Sequence, residues 1–319
     1  MARHPSIPAA ELSAALPAGL AILVTGGTGF VGRRLVEALV EGGHRVTVLT
    51  RDPGAAKGLP RQARLLGSLA GVEPGERIDA VVNLAGEPIA NGLWTRAKRE
   101  RIIESRRAVT RECVALMERL ERKPAAFVSA SAIGWYGLHG DEELDEHASG
   151  NDCFSRQVCV IAEAEARRAE DLGVRTVRLR IGLVIDAGGG LLQRMVLPFK
   201  LGLGGPFGRG QHWMSWIHRD DLVRLICHAI ATPGLSGPVN ATAPEPVRNS
   251  DFTRALGKAL NRPAVIPVPA APLRWVAGDL ARELLLGGQR VLPAAALRSG
   301  FSFAYPDLTG ALKAIFRKI

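Results

Sequence analysis

The chain predicts an α/β protein with a doubly wound parallel sheet. Three observations carry that expectation: an apolar run ending in a glycine-spaced turn, an amphipathic segment directly after it, and short apolar runs alternating with helical ones over residues 20–185. Ile22-Leu23-Val24-Thr25 reads as a buried strand, and Gly26, Gly29 and Gly32 follow at G-x-x-G-x-x-G spacing. Such spacing permits a tight turn, close approach of a pyrophosphate to the backbone, and close packing of helix on strand. Leu35, Val36 and Leu39 then recur at helical spacing, and Arg45 to Leu49 supplies a second strand that closes a βαβ unit. The start of that helix, with Gly26, Thr28, Gly29, Phe30, Val31 and Gly32, is therefore a candidate dinucleotide-phosphate site. Its free N–H groups and dipole favour an anion without a charged side chain.

The end of the second strand selects between dinucleotides. NAD-selective folds place a carboxylate there, whereas this chain has Thr50 and Arg51. A 2′-phosphate fits the Arg51 guanidinium, with Arg33 on the first helical turn as a second clamp, so NADP(H) is expected and NAD is the alternative. Asp52 weighs against this only if it takes the ribose or pairs with Arg51.

Further along, Asp79 to Leu84, Ala125 to Ser131 and Val174 to Ile185 read as strands, with helices over Arg96 to Leu120 and Asp152 to Leu172 between them. Right-handed crossovers place the carboxyl ends of these strands around one crevice. After Asp186 the glycine-rich stretches Gly188 to Gly190 and Gly202 to Gly205, and the prolines from Pro263 to Pro272, suggest a smaller and looser lobe. The expected organisation is a flexible extension over 1–19, a dinucleotide domain over 20–185 plus about 211–245, and a substrate lobe over 186–210 plus 246–319.

Composition excludes several classes. With 319 residues and 47% hydrophobic content, a core of enzyme size is affordable, and no run reaches the roughly 18 apolar residues of a membrane span. Residues 1–20 lack an export-type apolar core. Cys113, Cys153, Cys159 and Cys227 form no C-x-x-C pair, so free thiols, a cytoplasmic setting and no metal site are expected. The net charge is +10, and the basic residues are scattered through helices and loops, as in Arg96 to Arg101, and are rarely interleaved with aromatics. A small anionic ligand is the expected partner, neither nucleic acid nor membrane, and a homodimer is left open.

Asn83-Leu84-Ala85-Gly86 and Ser129-Ala130-Ser131, together with the glycine motif, resemble the extended short-chain dehydrogenase/reductases. That group has the Rossmann fold and contains sugar-nucleotide epimerases and dehydratases. Five ordered stretches narrow the resemblance to an atypical subfamily labelled NAD-dependent epimerase/dehydratase, sugar nucleotide epimerase-like or cell-division-inhibitor-like. They begin at Asn83, Pro198, Ser215, Pro246 and Gly288, and the resemblance spans residues 20 to 319. It implies that Leu84, Ala85 and Gly86 line the cofactor and that Ser131 orients substrate.

The resemblance also implies a Tyr-x-x-x-Lys on the helix after the fifth strand. Aligning Glu163 with the family's helix puts Ser155 at the Tyr position and Cys159 at the Lys position. Neither can do that work, and losing a placed acid/base costs about 10²–10⁴ in rate. Tyr136 is the substitute acid/base candidate, with Arg106 or Arg156 to lower its pKa; its other reading is a pocket wall. His218 and Asn249 read as helix-junction residues, with an Asp capping the helix after His218 and Asn249 capping the next. Gln289 and Arg290 bind a substrate anion or tie the lobe to the sheet, and Trp94, Trp213 and Trp216 line a pocket or fill the core. Two functions follow: an NADP(H)-dependent oxidoreductase or epimerase acting on a small hydroxy or carbonyl compound, with Ser131, Tyr136 and Arg106 in the site, or a non-catalytic NADP(H)-binding redox sensor.

Overall fold

The computed structural model describes residues 7–316. Seven parallel strands form the main sheet: β1 (Ala21–Thr25), β2 (Arg45–Leu49), β3 (Arg64–Leu66), β4 (Ala80–Asn83), β5 (Ala126–Ala132), β6 (Arg175–Ile181) and β9 (Gly237–Ala241). Their order is β9-β6-β5-β4-β1-β2-β3, so the direction of winding reverses between β1 and β4. Chains of this kind bind ligands at such a reversal, beyond the carboxyl ends of the strands. β1 is buried at every residue, as a central strand covered on both faces must be.

Helices α2 (Phe30–Glu41) and α6 (Arg219–Ala231) cover one face, sharing a core with Leu35, Leu39, Leu222 and Ile226. Helices α3 (Arg96–Arg119) and α4 (Phe154–Arg167) lie on the other. Met117 and Ala166 contribute to that core with Phe127 of β5. A third core, around Phe199, Trp216, Phe252, Leu256 and Leu312, belongs to the small lobe. It joins α5 (Gly190–Lys200), α7 (Asn249–Ala259) and α10 (Leu308–Phe316).

Four sequence expectations need correction. The expected long strand from Val174 divides after Ile181: Gly182 N donates to Ala241 O, Leu183 N donates to Ser215 O, and β7 (Leu183–Asp186) leaves the sheet to pair with β8 (Trp216–His218). The expected flexible extension is docked where it is described. Helix α1 (Ala9–Leu12) buries Leu12, Ser13 Oγ donates to Ala38 O, and Ile7 O accepts from Arg34. Residues 1–6 lie outside the described part.

The expected domain limits interleave as well. Trp216 enters the lobe core, whereas Ala296, on α9 (Ala294–Arg298), and Phe301 join the core of the main sheet. The expected caps differ too. His218 itself caps α6, its Nδ1 accepting from Asp220 N at 3.1 Å, and Asn249 is the first residue of α7, with Oδ1 accepting from Phe207 N at 2.8 Å.

Candidate functional site

The glycine turn is shaped by what surrounds it. Gly26 has φ +70°, and a Cβ there would lie 2.7 Å from Ala85 N, so the turn needs both the left-handed backbone and the absence of a side chain. A Cβ at Gly32 would collide with Gly26 O in the same way. α2 starts at Phe30 with Gly29 as its cap, and no side chain there satisfies the leading N–H groups. An open helix start in a cradle that any Cβ would fill fits a dinucleotide pyrophosphate.

Thr28 O is fastened by Arg33 Nε at 2.7 Å, which turns the Arg33 side chain back over the turn. Thr50 N closes the end of β2 by bonding Leu66 O. Arg51 is exposed, and Asp52 uses Oδ1 to accept Ala55 N at 3.0 Å in a local turn. Among the described residues Arg51 makes no ion pair with Asp52, and its charge acts at longer range on Glu87.

Beneath the crevice, strand ends are joined by polar contacts that the sequence alone did not reveal. Thr25 Oγ1 donates to Asn83 Oδ1 at 2.6 Å, and Asn83 Nδ2 donates to Thr110 Oγ1 at 2.9 Å. Ala85 N donates to Thr25 Oγ1 at 3.3 Å, which ties the Leu84-Ala85-Gly86 loop to β1. Arg106 supports this loop from below, with Nη1 donating to Glu87 O and Ile102 O at 3.0 Å each. Burial lowers the Arg106 pKa from its ordinary value. The structure thus places Arg106 as a loop support, with that nitrogen already committed to carbonyls.

Ser131 remains partly exposed, and its Oγ donates to Glu163 Oε1 at 2.8 Å. Glu163 also accepts from Arg180 Nε at 2.9 Å and Nη2 at 3.1 Å, both side chains being nearly inaccessible. The paired carboxylate and guanidinium neutralise each other in a setting where either alone would be costly.

Tyr136 corrects the acid/base expectation. Its side chain is fully buried, the hydroxyl donates to Asn240 Oδ1 at 2.7 Å, and Arg180 Nη1 donates to it at 3.1 Å. Burial pushes the phenol up to about 12, outweighing the lowering by Arg180. Such a phenol neither meets the crevice nor gives up its proton near neutral pH. Arg156, the other suggested pKa-lowering group, lies over the Trp135 ring at 5.4 Å instead.

The two positions of the missing Tyr and Lys are also occupied by satisfied groups. Ser155 Oγ donates to Glu283 Oε2 at 2.7 Å, and Glu283 accepts the amides of Phe154 at 3.1 Å and Ser155 at 2.8 Å. α4 lacks a side-chain cap of its own, so a carboxylate from the lobe completes its first turn. The Cys159 thiol is buried and pushed up to about 11, chiefly by desolvation. It is not a thiolate nucleophile in this setting. Gln289 Nε2 donates to Gly137 O, and Arg290 pairs with Glu143 at 2.9 Å, so both residues tie the lobe to the sheet. Trp94 packs edge-on against Phe154, and Trp216 is in the lobe core.

Comparisons with known proteins agree with this architecture. Residues 22–240 match the NAD dependent epimerase/dehydratase family, and residues 268–315 match a domain of unknown function, DUF1731. Epimerase family protein SDR39U1 of Bos taurus is 37% identical over 307 residues, covering 92% of this chain and 99% of its own. Epimerase family protein YfhF of Bacillus subtilis is 36% identical, over 91% of this chain and 96% of its own. The crystal structure of human epimerase family protein SDR39U1 with NADPH superposes with a TM-score of 0.85 at 34% identity, covering 94% of this chain and 100% of that one. A Thermotoga maritima UDP-glucose 4-epimerase, 19% identical with a TM-score of 0.75 and covering 93% of this chain and 98% of that one, shares the fold. The chain belongs to the NAD dependent epimerase/dehydratase family, as an SDR39U1-type member carrying a DUF1731 C-terminal region.

Proposed function

We propose that the protein is an NADP(H)-dependent oxidoreductase or epimerase acting on a small hydroxy or carbonyl compound, a sugar nucleotide being one candidate. The observation that carries the reading is the uncapped glycine cradle at the start of α2, followed by an exposed Arg51 where a carboxylate would favour NAD. Gly26, Thr28, Gly29, Phe30, Val31 and Gly32 would hold the pyrophosphate. Arg33, Thr50 and Arg51 would receive the 2′-phosphate, and Leu84, Ala85 and Gly86 would line the cofactor. The human relative's structure with NADPH supports the same cofactor. Bound NADP(H) supplies hydride transfer, and the chain supplies position, exclusion of water and a polar contact.

Ser131 is the residue best suited to that polar contact. Its proton is committed to Glu163, so its oxygen is left to accept from a substrate hydroxyl. Because Tyr136 is sealed, Ser131 orients the substrate and Tyr136 is a wall behind it. The test is incubation of NADPH deuterated at the transferable position with a panel of aldehydes and ketones, and of NADP+ with a panel of sugar nucleotides, followed by mass spectrometry for transferred deuterium and NMR for inverted stereocentres. Deuterium or an inverted stereocentre appearing in a product, reduced by about 10²–10⁴ in rate in Ser131→Ala, supports the reading. Absence of both transfer and inversion for every compound, with the cofactor bound, favours the second reading.

That second reading is a non-catalytic NADP(H)-binding redox sensor. One observation favours it: the hydroxyls of Ser155 and Tyr136 are both engaged inside the protein.

A further inference from the structure

We propose that the small lobe docks on an anionic membrane surface through α8 (Ala270–Leu280) and the neighbouring 197–203 and 262–266 segments. The inference is independent of the proposed chemistry. It rests on where charge and exposed apolar side chains fall.

Residues 187–218 and 252–278 contain no Asp or Glu, yet carry seven cations: Arg194, Lys200, Arg209, Arg254, Lys258, Arg262 and Arg274. The rest of the chain holds 34 of the 41 basic residues against all 31 acidic ones, so most of the +10 excess lies in these two segments. Among the described residues only Arg254 of the seven meets a carboxylate, Asp251 at 2.8 Å. Two other acids bordering these segments are also paired, Asp279 with Arg99 at 2.7 Å and Asp186 with Arg219 at 3.2 Å.

The same segments hold most of the exposed large apolar side chains. Leu197, Leu201, Leu203, Val265, Ile266, Trp275 and Val276 are seven of the ten in the described residues, and Trp275 is 91% exposed. No residue of α8 is buried. Residues 200–208 and 262–268 lie side by side, since Arg262 Nε donates to Lys200 O at 3.1 Å, Ile266 N to Gly204 O at 3.0 Å, and Gly208 N to Val268 O at 2.9 Å, and α8 continues the second strip from Pro269. A groove of roughly 660 Å³ beside them is lined by Arg254, Lys258, Arg262 and Val265, which places cations directly next to apolar surface.

Monomeric proteins rarely concentrate exposed large apolar side chains in this way without a partner. Unpaired cations around exposed Trp, Leu and Val side chains match an interface where headgroup phosphates meet acyl chains. Long Lys and Arg stems can lie along such a surface with their charges at phosphate level. The expectation of no membrane partner comes from the absence of a long apolar run, whereas this feature is a face assembled from separate segments. No helix among the described residues is long and apolar enough to cross a membrane, so the contact is with the surface.

The experiment is co-sedimentation of the full chain with vesicles of phosphatidylcholine alone or mixed with phosphatidylglycerol, with Trp emission and native mass measured in parallel. Trp275→Ala with Val276→Ala, and Lys200→Ala with Lys258→Ala and Arg274→Ala, are compared with the parent at unchanged Tm. Binding is expected only to the mixed vesicles, with a blue shift absent from Trp275→Phe. The apolar variant should bind about tenfold more weakly, and the three-cation variant about a hundredfold. No binding to mixed vesicles overturns the proposal, as does binding that neither variant weakens. A doubled native mass that the apolar variant abolishes also overturns it, by assigning the face to a second copy of the chain. Binding to single-stranded nucleic acid in place of vesicles overturns it likewise.

Discussion

The two halves of the crevice are built in opposite ways. Around β1, α2 and the end of β2, backbone and charge are left open: the start of α2 is uncapped and Arg51 is exposed. Around β5 and α4, the polar side chains are engaged with each other, as Ser131, Glu163, Arg180, Tyr136 and Asn240 form one connected group. Ser155 is likewise held by Glu283. Open groups are available to a ligand, and satisfied groups hold shape. The difference teaches that the first half leaves polar groups free, which is the basis of the proposed cofactor site, whereas the second is a rigid wall with Ser131 at its edge.

This contrast can be broken or sharpened by substitution. The largest effect is expected from Glu163→Gln, which leaves the Arg180 guanidinium, only 3% exposed, without its carboxylate. Stability should fall by about 3–5 kcal/mol, measured by urea unfolding. A loss of only a few tenths would show that the wall is not held by this pair. Tyr136→Phe should cost about 1–3 kcal/mol, because Asn240 Oδ1 and Arg180 Nη1 each lose a partner. Its affinity for NADPH should stay at the parent value. A large fall in turnover of an identified substrate at unchanged fold would return Tyr136 to the reacting site.

Glu283→Gln should cost about 1–2 kcal/mol, since the amides of Phe154 and Ser155 lose a carboxylate cap. Hydrogen exchange at those amides should rise, and unchanged protection would sink the capping role. The smallest effect near neutral pH is at His212, whose contribution appears only in acid. Burial lowers the His212 pKa to about 4, below the ordinary 6.5. In that window the unfolded chain binds a proton that the folded chain refuses, so stability falls as pH drops from about 6.5 towards 4. His212→Gln should remove part of that slope, as read from Tm against pH.

The geometry of the open half was legible in the sequence because its determinants are local. Gly26, Gly29 and Gly32 fall within one strand-to-helix junction, and Arg51 stands just past the end of the next strand. The doubly wound order also followed from alternating apolar runs. The wall was not legible, since its bonds join distant residues: Tyr136 to Asn240, Ser155 to Glu283, and Ala295 N to Glu146. A tyrosine beside a strand end looks the same in sequence whether its hydroxyl faces a crevice or an asparagine. The docking of Leu12 on α2 was hidden for a similar reason, since an Ala- and Leu-bearing extension shows no partner until the sheet is assembled.

The central claim is that the open half holds NADP(H) through charge at the end of β2. It is tested most directly by titrating the protein with NADPH and NADH in parallel, following nicotinamide fluorescence, and repeating both with Arg51→Ala. A charge-assisted contact of about 1.5–3 kcal/mol makes NADPH at least about tenfold tighter, and the variant should lose that preference while keeping its affinity for NADH. Equal affinities in the parent, or no binding of either nucleotide, would contradict the account.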